Sequence, residues 1–577
     1  MSATAPDQPK AETTASIARR HDLDALRAIA MLLGIGLHGA LAYMVLPRGG
    51  WPVQDIHQSS SFAAFMAAVH GFRMPLFFLI SGFFTAMLWR KRGLKALIQH
   101  RFKRIFLPLL LGMFTFVPAV WIVSIGAGFL GATSTTLSAD RDIWSATQLA
   151  DREAILGHLD RGADVNGIEP TLGATPLTVA GWTGDVDTMN LLIEKGADVN
   201  RINRDGNVAL AGATLFGRFG AVRVLVENGA DIHFVNNDGN TASMIAETSW
   251  GITNYVAGLV EVDVTQEEVD AGREDILELL RETSAAAPAS TAAKASEEQS
   301  KQDPWAGIMS LLLMFPFYHH LWFLAFLCWL VLMFAVYAWA LDRFPWKTAS
   351  TRFVVSPLRY AWLIPLTLLP QATMGLAFPS FGPDTSVGIL PLPNVLFYYA
   401  IFFFFGAMYF DSDDQQGRVG KYWKLTIPIS LFVLFPIGYE LTHGGIGFAN
   451  QIDSDLKRPL SVLTQVLYAW LMTFGLIGLF RSLFSGESKT LRYISDSSYW
   501  LYLAHLPLVI VLQTAVRNWP LPAFVKFAIV CLATCLILIL SYQWIVRYTP
   551  IGTLLNGPRT RPSKTDPQPD PVTVTAS

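Results

Sequence analysis

Long apolar runs separated by short basic stretches set the pattern of this chain. They occupy roughly 25–46, 62–88, 105–129, 320–341, 357–378, 392–410, 425–442, 460–480, 498–516 and 523–546. Each is near the ~20 residues that an α-helix needs to cross a bilayer's hydrocarbon. The pattern predicts an all-α fold, a polytopic membrane helix bundle of about ten spans. The stretch from Trp305 to Phe317 is also apolar, but it is short and Pro316 interrupts it, so it reads as an interfacial or re-entrant lead-in to the fourth span.

The charges between the runs give a direction. With the N-terminus inside, the short inside loops carry Arg90, Lys91, Arg92, Lys95, Arg101, Lys103 and Arg104, and later Arg343, Lys347, Arg352, Arg359, Arg418, Lys421, Lys424, Arg481, Lys489 and Arg492. The short outside loops offer Arg48, Lys457, Arg458, Arg517 and Lys526. This bias predicts a multi-pass membrane protein with both termini cytoplasmic. Residues 1–21 are polar and lack a signal-peptide core, so the first span reads as an uncleaved anchor. Residues 556–577, rich in Pro, Thr and Asp, read as a disordered tail.

Between the third and fourth runs the pattern changes character. Residues 131–304 hold 12 Lys+Arg against 28 Asp+Glu, while the rest of the chain holds 31 against 17. The overall net charge of −2 therefore hides two physically different parts. The acidic part repeats: Gly162-Ala-Asp-Val-Asn166, Gly196-Ala-Asp-Val-Asn200 and Gly229-Ala-Asp-Ile-His233 recur at spacings of 34 and 33 residues. With Thr175-Pro176-Leu177 opening a helix pair, this insert (residues 140–283) resembles the ankyrin repeat. Three repeats are recognisable and a degenerate fourth runs from about 234 to 283, interrupted by an insertion. Residues 284–304 read as a flexible tether. The topology places the insert on the outside face. Its acidity suits a basic protein partner, and a merely solvated acidic face is the alternative.

Candidate chemistry starts in the first run, where Arg27 and His38 stand eleven residues apart. At 1.5 Å and 100° per residue they share one helix face, ~16 Å apart along the axis. An ionisable group that deep in a span points to function, with a packing histidine as the alternative. Asp24, one turn before Arg27, is placed to pair with it. Arg73 within the second run must face the protein interior or a polar cavity. The three cysteines all lie in apolar runs, and no disulfide framework, metal-ligand spacing, phosphate loop, nucleophile elbow or nucleic-acid signature is visible.

Several of these residues fall into a recognisable set. Arg27-x10-His38, Phe72-Arg73-Met74-Pro75, Ser81-Gly82-Phe83 and Arg101-Phe-Lys-Arg104 resemble the motifs of acyltransferase family 3, integral-membrane enzymes that move acyl groups onto extracytoplasmic glycans. His320-Leu-Trp322 and Ser498-Tyr-Trp-Leu-Tyr-Leu-Ala-His505-Leu-Pro507 look like its glucan-biosynthesis branch, which succinylates osmoregulated periplasmic glucans. The resemblance covers 20–130 and 305–550, so the membrane domain (22–130 and 305–550) is split by the insert. It implies an O-acyltransferase that uses acetyl-CoA or succinyl-CoA as co-substrate, with no bound cofactor. It implies a catalytic group of His38, Arg27 and Asp24, with His38 as base or transient acyl carrier. Arg73, Arg101, Arg104, Ser81 and Gly82 would bind the donor, and His320, Trp322 and His505 the glycan acceptor. A transporter of a glycan or lipid intermediate, or an ankyrin scaffold anchored in the membrane, would account for part of the same pattern.

Overall fold

The computed structural model describes residues 20–44, 51–131, 139, 142–169, 173–203, 206–236, 239–286, 312–313, 317–344, 351–376, 379–444 and 447–559. Among the described residues all regular secondary structure is helical. Most of Trp305–Phe317, the tether and both chain ends lie outside them.

Three helices precede the insert: α1 (His21–Ala40), α2 (Ser61–Arg101) and α3 (Leu107–Gly131). The insert comprises α4 (Ile143–Gln148), α5 (Arg152–Asp160), α6 (Pro176–Thr183), α7 (Val186–Glu194), α8 (Ala209–Leu215), α9 (Phe219–Glu227), α10 (Ala242–Ala246), α11 (Trp250–Val260) and α12 (Gln266–Ala286). The second membrane part holds α13 (Trp322–Arg343), α14 (Thr351–Val355), α15 (Arg359–Gln371), α16 (Pro393–Asp411), α17 (Trp423–Ile429), α18 (Phe435–His443), α19 (Ser454–Leu483), α20 (Lys489–Val516), α21 (Ala523–Ser541) and α22 (Pro550–Asn556).

Among the described residues, eight helical stretches are long and apolar enough to cross a membrane. One of them, Ser61–Ala127, is 67 residues long. That is some three times what one crossing uses. Gly93 breaks it at φ 76°, a conformation costly for any residue with a Cβ, so it holds two crossings. The expected span at 357–378 holds a helix of only 13 residues, α15, yet it still crosses: Arg359 at its start donates to the Val419 carbonyl at 2.9 Å, and the Ala372 carbonyl past its end accepts from Arg458 at 2.8 Å. Pro365 and Pro370 each withhold an N–H from the helical ladder, and the chain leaves the helix at Gln371. There, Gln371 turns to polar partners, Gln465 Oε1 at 3.0 Å and the Gly382 carbonyl at 3.3 Å.

The insert forms stacked helix pairs. Gly162, Gly196 and Gly229 have φ of 90°, 93° and 85°, which is why each repeat closes on glycine. Side chains tie neighbouring repeats together: Asn166 donates to the Gly196 carbonyl at 3.0 Å and accepts from Asp198 N at 2.7 Å. Asn200 repeats the pattern toward Gly229 and Asp231. Thr175 caps α6 by accepting from Thr178 N at 3.1 Å, with Pro176 in the first turn. In the fourth unit α10 packs on α8 and α12 on α9, so α11 is the insertion expected there.

The membrane core is aromatic and tightly crossed. Phe402 of α16 stacks on Trp470 of α19 with ring centroids 3.9 Å apart. Helices α2 and α16 approach to backbone contact through glycines. A Cβ on Gly82 would overlap the Phe403 carbonyl, and one on Gly406 would overlap the Leu79 carbonyl. Without hydrophobic exclusion to drive helices together in lipid, such close packing carries association. Gly82→Ala should therefore force α2 from α16 and destabilise the bundle by ~1–3 kcal/mol. A lower thermal midpoint of the detergent-solubilised protein is the expected result, and an unchanged midpoint would show that this crossing can yield.

Candidate functional site

Helices α1 and α20 run side by side in the same direction. Arg27 on α1 donates to Ser495 Oγ of α20 at 3.0 Å. Farther along, His38 Nδ1 lies 2.8 Å from His505 Nε2. The eleven-residue spacing on one helix is matched by ten on the other, so both α1 residues face the same neighbour.

A cavity of about 40 Å³ opens beside the histidine pair. His38, Arg73, His320, Trp322, Tyr502 and His505 line it, with Met31, Gly34, Met74, Phe77 and Phe323. Three rings cluster there: the His505 centroid is 4.9 Å from that of His38 and 5.3 Å from that of His320. Arg73 reaches this space because Gly34 has no side chain; a Cβ there would overlap its Nη1. The buried Nε of Arg73 has no hydrogen-bond partner among the described residues. An arginine within a span costs roughly 3 kcal/mol. Leaving that buried N–H unpaired adds to the cost.

The backbone supplies the scaffold for these rings. Pro507 has no N–H to offer the Leu503 carbonyl four residues before it. His320 Nε2 donates to that carbonyl at 3.0 Å. Tyr502 donates its hydroxyl back to the His320 carbonyl at 2.8 Å. The preceding residue, His319, holds φ at 45°, a strained value of the kind that clusters at functional sites.

A loop closes the far end of α1. Its last carbonyls lack helical N–H partners, and Gln513 of α20 donates to the carbonyls of His38 and Gly39 at 3.0 Å each. Gln513 Oε1 in turn accepts from Trp51 Nε1 at 2.8 Å, and the Trp51 ring lies parallel to His38 at 6.1 Å. The loop is anchored by Asp55, buried against Lys526 Nζ at 2.5 Å. Lys526 also donates to the carbonyls of Arg517 and Trp519, at 3.0 and 3.1 Å.

At the Arg27 end a second group assembles. Arg27 pairs with Asp24 at 3.2 Å and lies over the Phe84 ring at 5.5 Å. Arg101 donates to Thr85 Oγ1 at 2.8 Å, and Thr85 to the Ser81 carbonyl at 2.7 Å. Arg104, on a wider π-helical turn, donates to the Leu554 carbonyl at 3.2 Å. Its own carbonyl, which Pro108 cannot serve, accepts from the Tyr499 hydroxyl at 2.7 Å.

The candidate residues of the sequence thus separate into two groups. His38, Arg73, His320, Trp322 and His505 meet in the cavity. Arg27, Asp24, Arg101, Arg104 and Ser81 cluster at the other end of α1, and Arg73 is not among them. Gly82 faces the α16 backbone, which fills the space a donor would need. Trp322 is only 7% exposed and packs on Phe78, Phe326 and Tyr399, so it belongs to the cavity wall and is no open stacking platform. Trp51, Tyr502 and Gln513 were missed. Gln513, an amide inside an apolar run, was the one visible signal; Trp51 sits in a loop with none.

Residues 20–174 and 280–543 match the family model described as an acyltransferase domain. This chain belongs to acyltransferase family 3. Residues 144–236 match three copies of the ankyrin repeat, overlapping the end of the first acyltransferase segment and running into the interval between the two. Among similar proteins are glucans biosynthesis protein C of Escherichia coli SMS-3-5, 39% identical, and of E. coli K12, 38% identical, each over 92 residues. These stretches make up 16% of this chain, which spans about a quarter (23%) of the length of those relatives.

The loop anchor is directly testable. Lys526→Met leaves the Asp55 carboxylate buried without its partner, a loss of ~3–5 kcal/mol. Thermal unfolding should register it, and Lys526→Met combined with Asp55→Leu should recover much of the loss. No recovery in the double variant would mean that Lys526 acts through the Arg517 and Trp519 carbonyls instead.

Proposed function

We propose that this acyltransferase moves an acyl group from a coenzyme A thioester to a glycan hydroxyl, with His38 as general base. The observation that carries the reading is the meeting in one cavity of His38, His505, His320 and Arg73, whose Nε has no partner among the described residues. The hydroxyl oxygen attacks the thioester carbonyl, and its proton passes to His38 as the C–O bond forms. The C–S bond then breaks, and the thiolate takes the proton back from His38. No group is left on the protein.

The arrangement also suggests how the donor lies. Arg27, Arg101 and Arg104 make a cationic cluster suited to the phosphates of coenzyme A. His38 lies ~16 Å farther along α1. A pantetheine arm laid along α1 would bring its thioester into the cavity. Arg73 there would favour an acyl group ending in a carboxylate, so a succinyl donor fits better than acetyl. The glucan-biosynthesis relatives make a periplasmic glucan the leading acceptor. The basic loops support a reading with the Arg27 end in the cytoplasm of an inner-membrane protein and the acidic ankyrin insert in the periplasm, where it would recruit a protein partner or position the glycan.

Mass spectrometry of glycans tests this, using cells that lack the protein and are complemented with variants. Wild type should restore acyl substituents and His38→Ala should not, a loss of at least ~100-fold. Arg73→Met should depress succinyl transfer far more than acetyl transfer. Equal acylation with His38→Ala would make His38 structural. Unchanged glycans in every strain would favour a transporter or a scaffold.

A further inference from the structure

We infer that His505 is a positioning residue: it sets the tautomer of His38, so that His38 Nε2 is the atom that takes the proton. The inference rests on the acyl-transfer reading for its chemistry, but its geometry stands separately. His505 Nδ1 lies 2.8 Å from the Tyr502 carbonyl and 3.2 Å from the Leu501 carbonyl. Carbonyl oxygens only accept, so His505 holds its proton at Nδ1. In the neutral ring Nε2 then has only a lone pair.

The surroundings keep that ring neutral. It faces His38 from α1, Arg73 from α2, His320 just before α13 and Tyr502 on its own helix, and among the described residues no carboxylate lines the cavity. A further cation beside Arg73 would be repelled in a medium that screens poorly. At 2.8 Å, His505 Nε2 accepts and His38 Nδ1 must therefore be the donor. His38 is left with an unprotonated Nε2.

This ordering matters for turnover. When Nε2 takes the hydroxyl proton, the imidazolium keeps its Nδ1–H bond to His505, and the bond to a now charged donor strengthens. The same Nε2–H then delivers the proton to the leaving thiolate. His505 neither gains nor loses a proton. It does for His38 what a second carbonyl or carboxylate does for other catalytic histidines, orienting the ring through its far nitrogen. The Tyr502 and Leu501 carbonyls in turn fix His505.

Solid-state NMR of the full-length protein in lipid nanodiscs, with ring-labelled histidine, reads the tautomer directly. The signal absent from His38→Ala belongs to His38. It should show the Nδ1–H form in wild type and in His505→Gln, whose amide oxygen can accept in place of Nε2. In His505→Leu it should switch to the Nε2–H form. With succinyl-CoA and a glucan oligosaccharide as probes, transfer should fall ~100-fold in His505→Leu and stay within ~10-fold of wild type in His505→Gln. An Nε2–H signal for His38 in wild type overturns the inference whatever the variants do, as does an unchanged tautomer in His505→Leu. The expected tautomers without acyl transfer in wild type would uphold the positioning geometry and refute the acyl-transfer reading.

Discussion

The parallel contact between α1 and α20 is the constraint on which the site depends. Arg27 meets Ser495, His38 meets His505, and the carbonyls of His38 and Gly39 meet Gln513. Three polar contacts along one seam fix both the register and the rotation of α1. In a bilayer each would otherwise be an unsatisfied group, costly enough to make the register self-enforcing. The depth of His38 in the bundle follows from this seam, and so does the distance between the cavity and the arginine cluster.

Proline shapes the rest of the site by subtraction. Pro507 leaves the Leu503 carbonyl for His320, and Pro108 leaves the Arg104 carbonyl for Tyr499. In water such carbonyls would be hydrated. Inside a membrane protein they have to be met by side chains, and here those side chains come from other helices. Glycine works in the complementary way, since Gly34 makes room for Arg73 while Gly82 and Gly406 let α2 and α16 touch. A rigid frame is the outcome, with Arg73, whose Nε has no partner among the described residues, facing a cavity.

Much of this was legible in the sequence, and the limits have physical reasons. Apolar run length and loop charge depend on the local chain alone, so the bundle was readable, though not the two prolines' shortening of α15. The ankyrin insert was readable because repetition betrays itself. His38, Arg73, His320 and His505 stood out as ionisable groups in apolar runs. That His38 and His505 share a hydrogen bond was not readable: they are 467 residues apart, and only the register of α1 on α20 joins them. Gly82 was misjudged because a glycine against a neighbouring helix and one against a ligand look the same in sequence. Trp51 carried no signal, since its role comes from the fold of a loop over the end of α1.

The central claim is that the acyl group is transferred in the cavity between His38 and Arg73. The most direct test is cryo-electron microscopy of the full-length protein in nanodiscs with a non-hydrolysable thioether analogue of succinyl-CoA. The account predicts density for the phosphates at Arg27 and Arg101, with the carboxylate end beside Arg73 and the thioether next to His38. An analogue bound with its acyl end outside this cavity, while the cavity stays closed to it, would contradict the account.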